Sequence, residues 1–136
     1  MLLASDICRL IIKQQPTGLL KELQNRSVQS DEIMLSSITY AELIAGVLLT
    51  ENKEKHLALV QAFCDRLDDI VPWGRGAVDC YTDIQMQAVA NNLPVNMNDA
   101  MLAAHAISMD AELLCSNSKS FINIEGLNMN VWELDS

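Results

Sequence analysis

Short apolar runs alternate with longer segments of helical periodicity along this chain of 136 residues. The runs are too short for helices, whereas the segments between them repeat apolar residues every three or four positions. This alternation predicts a parallel β-sheet covered by helices on both faces, an α/β fold. The predicted strands are 1–5, 33–37, 70–71, 112–115 and 129–132.

Six helices are predicted between and after these strands. Pro16-Thr17-Gly18 separates the first two, and the last helix opens at Asn98 or Asp99 and is apolar almost all round, so we expect it to be deeply buried. The chain shows no internal repeat, low-complexity tract or linker, which favours a single domain over residues 1–136. The predicted helices are 6–14, 19–25, 39–49, 53–69, 76–92 and 98–109.

The charge of the chain limits the partners that it can bind. The formal net charge is −9, with six basic and seven acidic residues in 1–60 but three basic and eleven acidic residues in 61–136. This balance disfavours a broad basic surface for nucleic acid, so contact with RNA or DNA would have to be local or pass through a metal ion. Four widely spaced cysteines, with no signal peptide or membrane span, favour a cytoplasmic protein with reduced thiols.

Polar residues follow several of the predicted strands at the point where each strand ends. Parallel sheets bind ligands in the crevice outside the carboxyl ends of their strands, so these residues are the candidates for a functional site. Asn98 and Asp99, at the start of the buried helix, join them. The strand-end candidates are Ser5, Asp6, Thr39, Glu42, Ser116, Asn117 and Ser118.

Each acidic candidate also has a purely structural explanation. Thr39 and Glu42 match the capping box, in which the Glu side chain returns to a free backbone N–H. Asp99 in a first helical turn is stabilised by the helix dipole, and Asp6 could cap the first helix. Gathered at one end of a sheet, however, these acids would repel one another unless a cation joined them. Oxygen-only ligands suit Mg²⁺ or Mn²⁺, for which phosphodiester hydrolysis is the natural chemistry.

Other catalytic patterns are incomplete. Gly74-x-Gly76 lacks the third glycine of a dinucleotide site and the Lys-Ser/Thr of a phosphate loop. His105 lies inside the most apolar helix, so a hydrogen-bonded core histidine is favoured over a catalytic one. We expect His56 to be exposed.

Several stretches occur together in an order that resembles the PIN-domain ribonucleases, specifically the VapC toxins of bacterial toxin–antitoxin modules. The resemblance covers essentially the whole chain. It is carried by SSITYAELIAG (36–46), NDAMLAAHA (98–106), LLCSNSKSF (113–121), Gly126-Leu127 and Trp132.

The resemblance implies a PIN-like α/β/α sandwich with a central parallel sheet flanked by helices. It also implies a Mg²⁺- or Mn²⁺-dependent endoribonuclease that cuts tRNA or rRNA. Such a toxin would form a homodimer and would be neutralised by a VapB-like antitoxin in a larger assembly. Glu42 and Asp99 match two metal-organising acids of the family, so the resemblance favours metal ligation over helix capping at both positions.

The chain departs from the family at its first ligand. Where the family has Asp-Thr-Asn, this chain has Ala4-Ser5-Asp6, so the ligand position is an alanine. In an extended strand Asp6 would face the same side as Ala4, but their Cα atoms would lie about 6.5 Å apart. Since Mg²⁺ needs oxygens at about 2.0–2.1 Å, Asp6 is expected to assist the metal only partly, as an auxiliary acid.

The leading hypothesis is thus a VapC-type endoribonuclease with activity weakened by Ala4, using Glu42, Asp99 and Asp6. A metal-activated water would attack the phosphate. Polar support is expected from Ser5, Thr39 and Asn98, with Asn117 and Ser118 positioning water or phosphate and Arg9 and Lys13 as candidates for contacts with the RNA backbone. The alternative is a catalytically inactive PIN protein that binds an antitoxin or RNA.

Overall fold

The computed structural model describes residues 1–13, Leu23, Asn25 and 32–132. The predicted break at Pro16-Thr17-Gly18 and most of the predicted helix 19–25 lie outside these residues. Five strands are present: β1 (Leu2–Leu3), β2 (Met34–Ser36), β3 (Asp69–Val71), β4 (Leu113–Cys115) and β5 (Met129–Val131).

Five α-helices and one short 3₁₀ helix accompany these strands in the described part of the chain. The 3₁₀ helix, Ser118–Phe121, follows β4. The α-helices are α1 (Ser5–Lys13), α2 (Ser37–Leu48), α3 (Lys53–Asp65), α4 (Arg75–Asn91) and α5 (Met97–Ser108).

The strands form one parallel sheet in the order β3-β2-β1-β4-β5, with β1 at its centre. From β1 the chain moves outward through β2 to β3, then returns to the other side of β1 to form β4 and β5. The chain direction therefore reverses between β1 and β4, and the carboxyl ends of these two strands border the crevice where ligands bind in open α/β sheets.

Two apolar cores lie on opposite faces of the sheet. Leu3 and Leu114 belong to the core with α1, α2 and α3, whereas Leu2 and Leu113 belong to the core with α4 and α5. This separation follows from the alternation of side chains along each strand. The predicted α/β/α sandwich is confirmed, and α5 is as deeply buried as expected, with its residues 102–106 all buried.

The first strand is shorter than predicted. β1 ends at Leu3, and the Cys8 N–H donates to the Ala4 carbonyl at 3.2 Å, so the chain is helical from Ser5 onward. The premise that Ala4 and Asp6 share an extended strand was therefore wrong, because strand alternation does not extend past Ala4, although both residues line the same cleft. Asp6 instead lies in the first turn of α1.

The starts of two other helices also differ from prediction. Ser36, not Thr39, caps α2, and its hydroxyl accepts the Ile38 N–H at 3.1 Å. Glu42 lies in the middle of α2, so the capping-box explanation is excluded. Asn96, not Asn98 or Asp99, caps α5 by accepting the Asp99 N–H at 3.2 Å.

Helix α4 packs into the core through Ala77 and Ile84, which are buried, whereas Val78 is 43% exposed.

Candidate functional site

A cleft of about 350 Å³ lies at the carboxyl ends of β1 and β4. It collects polar residues from three α-helices, the 3₁₀ helix and two loops, and it lies at the reversal point of the sheet. Most of the predicted site residues line it, namely Ala4, Ser5, Asp6, Arg9, Glu42, Asn98, Asp99 and Asn117.

Glu42 reaches the cleft from the middle of α2. The neighbouring Leu43 is buried in the core, which holds the helix so that the half-buried Glu42 faces the crevice. Burial raises the pKa of the Glu42 carboxyl, and the nearby Asp99 adds to this rise. A hydrogen bond with the Ser5 side chain and the charge of Arg9 oppose the rise but do not cancel it. For Glu42, burial thus outweighs the neighbouring groups that favour its charged form.

Asp99 faces Glu42 from the first turn of α5. Ala100, which follows it, is fully buried and fixes this end of the helix against the sheet. Burial raises the pKa of the Asp99 carboxyl, and repulsion from Asp6 contributes as well. Because the three acids influence one another in this way, the cleft is an electronegative site.

Asp6 is held differently from the other two acids. Its Oδ2 accepts the Ser116 N–H at 3.0 Å, the Ser116 hydroxyl at 2.7 Å and the Asn117 N–H at 3.0 Å. Its Oδ1 accepts the Ile7 N–H at 2.8 Å. Both carboxylate oxygens therefore already have protein donors. Among the residues that the structure describes, no three His, Cys, Asp or Glu side chains are grouped to hold a metal ion.

The carboxylates left in the cleft without a comparable set of donors are Glu42 and Asp99. Ala4 lines the cleft with its methyl group and contributes no oxygen from its side chain. Two carboxylates with neutral oxygens such as those of Ser5 and Asn98 form a hard donor set. Mg²⁺ in proteins commonly takes one or two carboxylates and keeps several waters, so this donor set fits such an ion.

Four candidate residues do not line the cleft, and the first of them is Ser116, which donates to Asp6. Thr39 is completely buried, and its hydroxyl has no hydrogen-bond partner among the described residues. It therefore lies on the buried face of α2. Ser118 starts the 3₁₀ helix and does not line the cleft. Ser120 lies in the position that was predicted for Ser118. Lys13 lines a neighbouring groove instead.

Four cleft residues were missed in the sequence. Asn96 could have been found as a cap, since an asparagine precedes the apolar helix at the usual distance. Ser120 and Phe121 lie beside the cleft only because of the 3₁₀ turn, which no pattern in the sequence predicts. Leu102 was assigned simply to the buried helix. The four are Asn96, Leu102, Ser120 and Phe121.

The two histidines lie outside the cleft. His105 is 2% exposed, its Nδ1 lies 2.7 Å from the Ser36 hydroxyl, and burial lowers its pKa. The predicted hydrogen-bonded core histidine is confirmed. His56 is partly buried rather than exposed, with its Nδ1 2.8 Å from the Asn52 carbonyl oxygen.

A second groove, of about 440 Å³, adjoins the cleft between α1, α2 and α3. Its floor is apolar and includes Leu43, Val47 and Val60, and Arg9 lines both this groove and the cleft. We call it the basic groove because its cationic or basic side chains are Arg9, Lys13, Lys55 and His56.

Residues 9–127 match the PIN domain family, and the chain belongs to that family. Curated relatives match over almost their whole length. Ribonuclease VapC2 of Rickettsia felis is 28% identical over 132 residues, which is 97% of this chain and 97% of the relative. The tRNA(fMet)-specific endonuclease VapC of Shigella flexneri is 26% identical over 131 residues, 96% of each chain.

Solved structures show the same fold. VapBC2 from Rickettsia felis, bound to a DNA fragment from its promoter, superimposes with a TM-score of 0.88 at 28% identity, covering 97% of this chain and 98% of that chain. DNA-bound VapBC from Salmonella typhimurium gives 0.85 at 27% identity, covering 96% of each. None of the helices among the described residues has the length and apolar character of a membrane-spanning segment.

Proposed function

We propose that this chain is a VapC-type toxin, a metal-dependent endoribonuclease with activity weakened by Ala4. The observation that carries the proposal is the pairing of Glu42 and Asp99 in one cleft at the reversal point of the sheet. Burial raises the pKa of both carboxyls, as expected for two acids at a cation-binding site when no cation is bound. Relatives with this fold are named as ribonucleases, and the match to them spans nearly the whole chain.

In this proposal Glu42 and Asp99 hold Mg²⁺ or Mn²⁺. When bound, such an ion activates water and stabilises the negative charge that develops on phosphate. Ser5 orients the Glu42 carboxylate through its hydrogen bond. Asn98 and Asn117 offer amide groups to RNA or to ordered water at the cleft wall, and Arg9 supplies the cation that attracts the RNA backbone.

The cleavage experiment uses initiator tRNA and bulk rRNA with Mn²⁺. We expect slow cleavage by the native chain, because one carboxylate is missing at Ala4. Asp99→Asn should lower the rate about 100-fold or more, since metal stabilisation of phosphate charge amounts to several kcal/mol. The matched control, Asp83→Asn, removes an exposed acid on α4 and should leave the rate unchanged.

Cleavage that survives in Asp99→Asn would overturn the assigned site. If the native chain cleaves neither RNA, and only Ala4→Asp restores cleavage, the alternative of a non-catalytic PIN protein would stand in place of the enzyme.

We also propose that a VapB-like antitoxin occupies the basic groove. The solved relatives are complexes of VapB with VapC, and an apolar floor with a cationic rim suits an acidic amphipathic segment. The charge-reversed pair Lys13→Glu with Lys55→Glu should weaken binding of a VapB-like antitoxin about tenfold or more. Unchanged affinity would contradict the placement. The homodimer remains a prediction from the resemblance.

A further inference from the structure

The polar contacts of Asp6 join two parts of the molecule that are 110 residues apart. The Asp6 carboxylate lies in the first turn of α1, and its Oδ2 accepts three hydrogen bonds from Ser116 and Asn117, directly after β4. Two of the donors are backbone N–H groups. Such an arrangement fixes the path of the main chain and not only a side-chain rotamer.

The segment that Asp6 holds forms one wall of the cleft. Asn117 itself lines the cleft, and its side-chain oxygen accepts the Lys119 N–H at 3.1 Å, which starts the 3₁₀ helix. That helix places Ser120 and Phe121 in the same wall. We call residues 116–121 the β4 wall. It faces Glu42 and Asp99, which come from α2 and α5.

We propose that Asp6 is a positioning residue that holds the β4 wall against the Glu42 and Asp99 side of the cleft. Its oxygens bind protein donors, and Asp6 acts on RNA through Asn117 and Ser120 rather than through the metal. This inference rests on the proposed function for its RNA substrate, but the position of the wall can be measured without any activity.

Two substitutions separate positioning from metal ligation. Asp6→Asn keeps an oxygen that can accept the Ser116 and Asn117 N–H groups, whereas Asp6→Ala removes every acceptor. We expect hydrogen exchange at the Ser116 and Asn117 amides to become at least about tenfold faster in Asp6→Ala. In Asp6→Asn it should stay within about threefold of the native chain. Asp83→Ala, on the exposed side of α4, is the matched control.

Binding of Mn²⁺ and cleavage of RNA complete the test. Asp6→Asn should bind Mn²⁺ within about threefold of the native affinity and should recover most of the cleavage lost in Asp6→Ala, whereas Asp99→Asn should lose at least about tenfold in affinity. If Asp6→Asn loses as much Mn²⁺ affinity as Asp99→Asn, Asp6 is a ligand and the proposal is overturned. Unchanged amide exchange in Asp6→Ala would overturn it as well.

The outcome is readable even if the proposed function fails. Should Mn²⁺ bind to none of these proteins, the metal-dependent function would be contradicted. Amide exchange would still decide the positioning role, and Asp6→Leu, which also lacks an acceptor, would replace Asp6→Ala if that variant did not fold: faster exchange at Ser116 and Asn117 supports the role, and native exchange contradicts it.

Discussion

The two sides of the cleft treat their carboxylates in opposite ways. On the β4 side, Asp6 accepts hydrogen bonds from Ile7, Ser116 and Asn117. On the other side, burial raises the pKa of both Glu42 and Asp99, and the Ser5 hydrogen bond and the Arg9 charge offset this only in part for Glu42. Acids that line the same cleft thus occupy very different environments.

This difference shows how a structural acid can be told from a functional one. A carboxylate whose oxygens are satisfied by protein donors stabilises the fold, and an added ion would have to displace those donors. A half-buried carboxylate without such donors destabilises the ion-free fold and is retained at that cost, which is typical of functional sites. On the basis of this difference we propose that Glu42 and Asp99 bind the metal and that Asp6 positions the β4 wall.

Ala4→Asp is expected to have the largest effect, because it adds a third acid to the poorly compensated side. Ala4 is 4% exposed and lines the cleft, so a new carboxylate there should destabilise the metal-free protein by roughly 1–3 kcal/mol. Mn²⁺ should bind at least about tenfold more tightly than to the native chain, and at 100 times its Kd it should return about 2.7 kcal/mol. Thermal unfolding with and without Mn²⁺, with titration calorimetry, measures both quantities.

The neutral variant Ala4→Asn is the matched control for Ala4→Asp. It has a similar size but no charge, so its stability should respond to Mn²⁺ no more than that of the native chain. An Ala4→Asp protein that gains no Mn²⁺ affinity would show that the position lies too far from Glu42 and Asp99 to share an ion.

Glu42→Gln should raise the stability of the metal-free protein at neutral pH. Because the folded pKa of Glu42 lies above its ordinary value of 4.5, the native state holds more protons than the unfolded state between those two values. Native stability therefore falls as the pH rises through that window, and the cost is fully present above it. We expect a gain below about 1 kcal/mol, since Glu42 is half exposed and solvent screens its charge.

The measurement is chemical unfolding of native and Glu42→Gln protein at pH 7.5 and at pH 4. The difference in free energy of unfolding should shrink at the lower pH, where the native Glu42 is itself protonated. The same comparison for Asp6→Asn should have the opposite sign at neutral pH, because that change weakens satisfied hydrogen bonds. A destabilised Glu42→Gln protein at pH 7.5 would break the distinction between the two sides of the cleft.

Much of the fold could be predicted because apolar patterning directly records burial. The five strands and the buried helix at 97–108 follow from runs and periods in the sequence, and their order predicts a parallel sheet. The acids Glu42, Asp99 and Asp6 could be predicted to meet, because the carboxyl ends of parallel strands lie at one edge. Their shared cleft agrees with this expectation.

The contacts of Asp6 could not be predicted in the same way. Ala4, Ser5 and Asp6 are compatible with the end of a strand or the start of a helix, and only the hydrogen bond from Cys8 to Ala4 decides between them. The strand assignment led to the expectation of a side chain facing the metal, whereas the helical one turns Asp6 toward Ser116.

Similar ambiguity affected the helix starts and the β4 wall. Ser36 and Thr39 are both acceptable caps, and the preceding strand decides in favour of Ser36. The choice of Ser120 over Ser118 depends on a 3₁₀ turn of four residues, which is too short to leave a periodic pattern. Single hydrogen bonds of this kind decide local placement without changing the pattern of apolar residues.

Arg9→Gln should have the smallest effect. It tests whether the positive charge of Arg9 acts on the bound RNA or only offsets the negative charge of Glu42. Arg9 lowers the pKa of Glu42 and lines both the cleft and the basic groove, whereas Lys13 lines the groove alone. Loss of Arg9 should raise the KM for RNA about threefold, leave kcat nearly unchanged and reduce the salt dependence of binding by about 0.7 in log–log slope, as expected for one lost phosphate contact.

Lys13→Gln is the control, and an equal effect there would move the RNA contact from the cleft to the groove. A fall in kcat for Arg9→Gln alone would instead mean that the guanidinium acts on the reacting phosphate. The positive charge on the Glu42 side of the cleft would then be used during the reaction rather than in the binding of RNA.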